Sequence, residues 1–172
     1  MIVGYVGNMG SGKTLSMVKE AFNLFNKGYT IYSNIKLNFP HKVLDMEEIL
    51  SYANEDKSFH KAVFLIDEAH IFIDSRRSAS KRSLLMTYFI TQTRKKDVTL
   101  LYTTQNIGQV EKRLRQQTDI ICECFSKVYN AIHIILNKFS VFRMEGIAVH
   151  HKVFLGIKYY DLYNTYEVVK SI

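Results

Sequence analysis

One proline and two cysteines in 172 residues are few, and each scarcity closes off a class of protein. A single proline leaves no room for a proline-rich linker. Cys122 and Cys124 cannot build a disulfide framework, and at i, i+2 on a strand they are badly placed to bridge each other. A lone C-x-C also lacks the further ligands zinc needs. A reduced, intracellular setting is therefore expected. No apolar run approaches the roughly 20 residues of a spanning helix, and the start Met1-Ile2-Val3-Gly4-Tyr5-Val6 has neither a charged leader nor a cleavage site, so no integral membrane segment is expected. Acids are missing from Ser75 to Lys96. There Arg76, Arg77, Lys81, Arg82, Arg94, Lys95 and Lys96 supply an excess equal to the whole formal charge of +7. Such a surplus points to a polyanionic partner and says nothing about fold.

What is present is ordinary for a globular chain: 47% hydrophobic and 23% charged residues, in a length that suits one domain spanning 1–172. Ile2 to Val6 reads as a buried strand, and Thr14 to Asn26 places Leu15, Val18, Phe22 and Phe25 at helical spacing. Gly28 is a natural helix stop, followed by a strand at Tyr29 to Tyr32. Asp45 to Tyr52 reads as a short surface helix. Ala62 to Ile66 is a strand, Leu84 to Ile90 the centre of a helix, Val98 to Thr103 a strand, Val110 to Gln116 a short basic helix and Ile120 to Phe125 a strand. Beyond these, 131–136, 141–142 and 153–157 suggest hairpin strands. Strands alternating with helices predict an α/β fold with a mainly parallel sheet, helices on its faces, extra C-terminal strands, and ligands at the carboxyl ends of the parallel strands.

Between the first strand and first helix stands Gly7-Asn8-Met9-Gly10-Ser11-Gly12-Lys13-Thr14, a full G-x-x-x-x-G-K-[ST] phosphate loop in its required place. Glycines let successive N–H groups turn inward toward a phosphate, and the helix N-terminus adds a field that favours anions. Lys13 is expected on the β- and γ-phosphates of ATP and Thr14 on Mg²⁺. Val63-Phe64-Leu65-Ile66-Asp67-Glu68 ends a strand in two carboxylates, with Asp67 suited to hold Mg²⁺ through water and Glu68 to deprotonate an attacking water. Gln105, at the end of Leu100-Leu101-Tyr102-Thr103-Thr104-Gln105, either meets the γ-phosphate or caps its loop.

With Val63 to Glu68 as they stand, Arg94 eleven positions before Gln105, and Thr103-Thr104-Gln105 closing a strand, the chain resembles the FtsK/HerA superfamily of ring-forming, DNA-pumping ATPases. It looks most like small viral genome-packaging ATPases and the related zonular-occludens-toxin-like phage assembly proteins. The resemblance implies a RecA/ASCE-like P-loop NTPase that hydrolyses ATP with Mg²⁺ and moves double-stranded DNA into a capsid. It further implies a homo-oligomeric ring, with a hexamer favoured, contact with a capsid vertex protein, and a place in the host cytoplasm. In that family a basic residue ahead of the sensor glutamine enters the neighbour's site. Arg94 matches, with Arg113 and Arg115 as alternatives. The absence of an extra DNA-reading domain or a membrane anchor leans toward a bare packaging motor.

Arg76, Arg77, Lys81 and Arg82, interleaved with serines, suit a pore loop that touches DNA phosphates without reading sequence, or else a solvated basic surface. Tyr163, Asn164 and Thr165 are candidates for touching the base or ribose. His70, His133, His150 and His151 form no ligand spacing and read as structural or surface residues. Two other functions fit the phosphate loop: a small P-loop kinase for a nucleoside or metabolite, and a nucleotide-switched assembly factor. Glu68 directly after Asp67 counts against the kinase, since a water-activating base there wastes ATP.

Overall fold

The computed structural model describes residues 1–44, 59–72, 87–88, 90–91, 93, 97–130, 132–143 and 146–164. The helix expected at 45–52, most of the one centred on 84–90, Arg76, Arg77, Lys81, Arg82, Arg94 and Thr165 lie outside them. Eight strands join one sheet: β1 (Ile2–Val6), β2 (Thr30–Ser33), β3 (Lys42–Val43), β4 (Ala62–Ile66), β5 (Val98–Thr104), β6 (Ile120–Tyr129), β7 (Ile132–Arg143) and β8 (Gly146–Leu155). Their order is β3-β2-β4-β5-β1-β6-β7-β8. The strands from β3 to β6 run parallel, and β7 and β8 add an antiparallel meander. β5 stands between β1, which leads into the phosphate loop, and β4, which ends in the two carboxylates. That is the additional-strand arrangement the sequence analysis expects.

The parallel strands β1, β2, β4 and β5 feed both faces of the sheet. Val63 and Leu65 join Val3, Tyr5, Ile31 and Leu101 under α1 (Lys13–Phe25), against Met17, Val18 and Ala21. Phe64 and Ile66 join Ile2, Tyr32, Leu100 and Tyr102 on the opposite face, beneath Val110 and Leu114. That second face is covered by a 3₁₀ turn (Ile107–Gln109) and α3 (Lys112–Gln117), while the four-residue α2 (Ala69–Phe72) follows β4. Gly4 sits across from Tyr102 on β5, and a Cβ there would come within 2.5 Å of the Tyr102 hydroxyl, so glycine makes room for the ring. Burial pushes the Tyr102 phenol up to about 12. Its hydroxyl meets Thr118 Oγ1 at 2.8 Å, so the polar tip is matched inside the core.

α1 stops where the glycine predicts. Gly28 takes a φ of 85°, and the Tyr29 N–H turns back to the Leu24 carbonyl. The late strands differ from the expectation. Residues 132–136 and 141–142 of the first two runs belong to one strand, β7, and the run at 153–157 ends at Leu155, where a second 3₁₀ turn (Gly156–Leu162) begins. The basic helix starts at Lys112 because Val110 is extended and closes the preceding turn. This second turn lies against α1, and Lys19 reaches from α1 over the rings of Phe154 and Tyr159, 5.0 and 5.4 Å from their centroids.

Candidate active site

The phosphate loop runs from the end of β1 into α1 with no side chain capping the helix and no acid in its first turn. The first N–H groups of α1 are therefore left for an anion, and nothing negative in the first turn opposes one. Two glycines have steric reasons. A Cβ on Gly7 would meet Ser11 Oγ at 2.6 Å and the Cys124 carbonyl at 2.7 Å. Gly12 adopts a φ of 85°, and a Cβ there would lie 2.6 Å from Ile135 Cδ1. Lys13 is buried, and its ammonium donates to the Asn8 carbonyl at 3.0 Å across the loop.

β6 and β7 brace this loop from the side. Ser126 Oγ donates to the Gly10 carbonyl at 2.7 Å, and Ser16 Oγ on α1 donates to Asn137 Oδ1 at 3.1 Å in a buried contact. Cys122 and Cys124 are free thiols, both buried under the same face. Both stand on β6, the strand on which the sequence analysis sets them.

At the end of β4, Asp67 Oδ1 accepts from Thr14 Oγ1 at 2.8 Å and from Thr103 Oγ1 at 2.7 Å. Thr103 Oγ1 also accepts the Glu68 N–H at 2.8 Å. Asn34, just past β2, pairs with the Asp67 backbone in both directions, donating to its carbonyl at 2.9 Å and accepting its N–H at 2.8 Å. These bonds hold Glu68 at a φ of 52°, a left-handed conformation that costs a side-chain-bearing residue on the order of 1 kcal/mol or more. Its Oε2 lies 3.2 Å from His70 Nδ1, within ion-pair distance but out of line for a hydrogen bond, so the carboxylate keeps acceptor capacity.

Burial pushes the Asp67 carboxyl above the usual carboxylate range, against the opposing pull of the Thr103 and Thr14 hydroxyls and of Lys13. A cation beside it would remove that cost. Among the described residues no cluster of three or more His, Cys, Asp or Glu could cage a metal. Mg²⁺ needs none, because it takes one or two protein oxygens and completes its shell with water and phosphate. Thr14 and Asp67 supply such a pair.

A cavity of about 250 Å³ gathers Lys13 and Thr14 with Glu68 and Gln105. The sequence-predicted phosphate, base and sensor residues thus converge. His133, Tyr160 and Tyr163 line the cavity as well. Tyr163 is a candidate of the sequence analysis, and His133, read there as structural or surface, lines the same cavity. Arg113 and Arg115 are exposed on α3 and do not line the cavity of their own chain. Asn34 escapes the motif analysis, and Thr103 enters it only as part of a strand end. The available signal is their place, at or just beyond the carboxyl ends of two parallel strands, where such sheets bind ligands. His133 and Tyr160 carry no such signal, since they come from a distant antiparallel addition.

The solved structures with this fold include the N-terminal domain of zonular occludens toxin from Neisseria meningitidis. It is 20% identical with a TM-score of 0.61, covering 95% of this chain and 98% of that one. B204, the DNA-packaging ATPase of Sulfolobus turreted icosahedral virus, is 15% identical with a TM-score of 0.59, over 87% and 96% of the two chains. The ATPase domain of G40P is 14% identical with a TM-score of 0.59, over 95% and 84%. At these identities the likeness establishes a P-loop NTPase fold. A comparison with curated protein sequences gives no match. The model of one family covers residues 1–151, and on that match the chain belongs to the Zonular occludens toxin (Zot) family.

Proposed function

We propose that this chain is a Mg²⁺-dependent ATPase acting in a homo-oligomeric ring, a hexamer for preference. The ring couples hydrolysis to movement of double-stranded DNA, as in packaging a viral genome at a capsid vertex in the host cytoplasm. One observation carries the reading: Lys13 and Thr14 of the phosphate loop line a single cavity with Glu68 and Gln105, and Thr14 donates to Asp67. Lys13 would leave the Asn8 carbonyl for the β- and γ-phosphates. Glu68, held in position by Thr103, would take the proton of the attacking water, and Gln105 would meet the γ-phosphate end. Magnesium, when bound through Thr14 and Asp67, would neutralise charge on the phosphate oxygens.

Two features support the ring. Lys13 is the only lysine or arginine among the described residues lining the cavity, so a second cation has to come from elsewhere. Arg94, Arg113 and Arg115 are the candidates in a neighbouring copy. The outer face of the meander, with Phe125, Leu136, Ile147 and Val153 exposed, is an apolar surface of the kind that packs against another chain. Two structural relatives lean the same way: B204 is a DNA-packaging ATPase, and a genome packaging NTPase B204 has been solved with ATP-gammaS.

Steady-state ATP hydrolysis with and without long double-stranded DNA tests the proposal, using wild type, Lys13→Ala, Arg94→Ala and mixtures of the two variants. Stimulation by DNA is expected, with both variants inactive alone, Arg94→Ala by about 10³ to 10⁵. Activity should return in mixed rings, where an intact phosphate loop sits beside an intact arginine. Stimulation by a small acceptor instead of DNA would favour the kinase, and slow turnover indifferent to DNA the assembly switch. Neutralising Arg76, Arg77, Lys81 and Arg82 together should weaken DNA binding and flatten its salt dependence if these residues contact phosphates.

A further inference from the structure

The cavity is lined by two chemically different sets of side chains. Lys13, Thr14, Glu68 and Gln105 are charged or polar, whereas His133, Tyr160 and Tyr163 are rings. Tyr160 stands beside His133 with the ring centroids 5.7 Å apart and the planes 30° from parallel, and its hydroxyl is hydrogen-bonded to His133 Nδ1. Gly156 is what allows this approach. A Cβ there would lie 3.0 Å from His133 Nδ1 and 3.1 Å from the Tyr160 hydroxyl. Even so held, Tyr160 keeps 39% of its surface exposed. A tyrosine that only packed an edge would not need its ring orientation fixed by a hydrogen bond, a stacked neighbour and a glycine together.

The wall is also fixed relative to the phosphate loop. His133 and Ile135 lie two residues apart on β7 and so point to the same face of the sheet. Ile135 fills the space beside Gly12. One strand thus sets both the phosphate loop and the aromatic wall.

We propose that Tyr160 and His133, with Tyr163 beside them, form a nucleobase subsite that holds the base by stacking and selects no particular purine. This rests on the nucleotide reading above and adds how the base is held. Every base offers a π-face, so stacking tolerates sequence. The polar group on this wall that is free to choose its role is the imidazole. With Nδ1 tied to a hydroxyl that can give or accept, its other nitrogen can act as donor or acceptor, and so can meet the amino group of adenine or the carbonyl of guanine equally.

Equilibrium binding of ATP, GTP and inorganic tripolyphosphate to the full chain tests this, with Tyr160→Ala, Tyr160→Phe and Lys13→Ala alongside. Wild type should bind ATP and GTP within about threefold of each other and both about tenfold or more tighter than tripolyphosphate. Tenfold is about 1.4 kcal/mol, within the range for base–aromatic stacking. Tyr160→Ala should lose about tenfold toward both nucleotides and nothing toward tripolyphosphate, while Tyr160→Phe keeps the ring and most of the affinity. Equal losses toward nucleotide and tripolyphosphate would make Tyr160 a structural support and overturn the subsite. So would unchanged nucleotide affinity, or a preference for one purine above tenfold. If tripolyphosphate binds wild type and Lys13→Ala alike, the phosphate-loop reading itself fails, a result separate from any effect at Tyr160.

Discussion

β4 is buried along its whole length and on both faces, whereas β7 and β8 turn one face to α1 and leave the other open, with Leu136, Phe142, Ile147 and Val153 exposed. In the parallel half, the strand bodies make the core and only their carboxyl ends reach the site. Beside it, strand bodies themselves reach the site: Ser126 near the end of β6, with Ile135 and Asn137 on β7, brace the phosphate loop and first helix, and His133 lines the cavity. The difference teaches that the phosphate loop is held from two sides by unlike means, a buried sheet beneath and an added hairpin alongside.

The largest test of that contrast pairs Leu65→Ala with Val153→Ala. Leu65 is fully buried and should lose about 2–5 kcal/mol of stability. Val153 on the open face should change by no more than about 0.5 kcal/mol. Chemical denaturation measures both, and equal losses would mean that the open face is covered.

Asn137→Ala comes next. It leaves the buried Ser16 hydroxyl without its partner and should cost about 1–3 kcal/mol. It should also weaken tripolyphosphate binding, because the contact holds α1 just beyond the loop. A stability loss without a binding loss would make the meander a passive addition.

The smallest expected effect has the opposite sign. Because burial raises the Asp67 pKa, the folded state holds that proton more tightly than the unfolded chain does. Its contribution therefore favours folding at pH below the unfolded value of 3.8 and turns unfavourable as pH rises through the raised value. Asp67→Asn keeps an acceptor for Thr14 and Thr103, removes the buried charge, and should raise the neutral-pH melting temperature of the nucleotide-free protein, by about 2–4 °C for each kcal/mol. It should also flatten the acid side of the stability profile. Thermal melts from pH 3 to 8 would reveal a decrease instead, if the charge were stabilising.

The same contrast governs what could be read from sequence. β1 and β4 lie where their apolar runs place them, because a strand buried on both faces has a continuous apolar signature. The phosphate loop and both carboxylates follow from motif and position together. β7 was harder, since Asn137, Lys138 and Ser140 look like a break. In the structure they alternate across the sheet: Asn137 turns inward to Ser16, Lys138 outward to Glu123 at 2.8 Å, and Phe139 inward to the core. Long-range partners make that polar stretch a strand, and no local pattern encodes them. The Asn34 clamp on Asp67 is likewise a contact between neighbouring strands 33 positions apart.

The central claim is that this site hydrolyses ATP with Glu68 as the base. The most direct measurement is single-turnover hydrolysis of Mg²⁺-ATP by wild type and Glu68→Gln, with ATP binding followed in the same samples. The account predicts that the variant binds ATP as tightly as wild type and cleaves it about 10² to 10⁴ times more slowly. Cleavage at the wild-type rate by Glu68→Gln would contradict it.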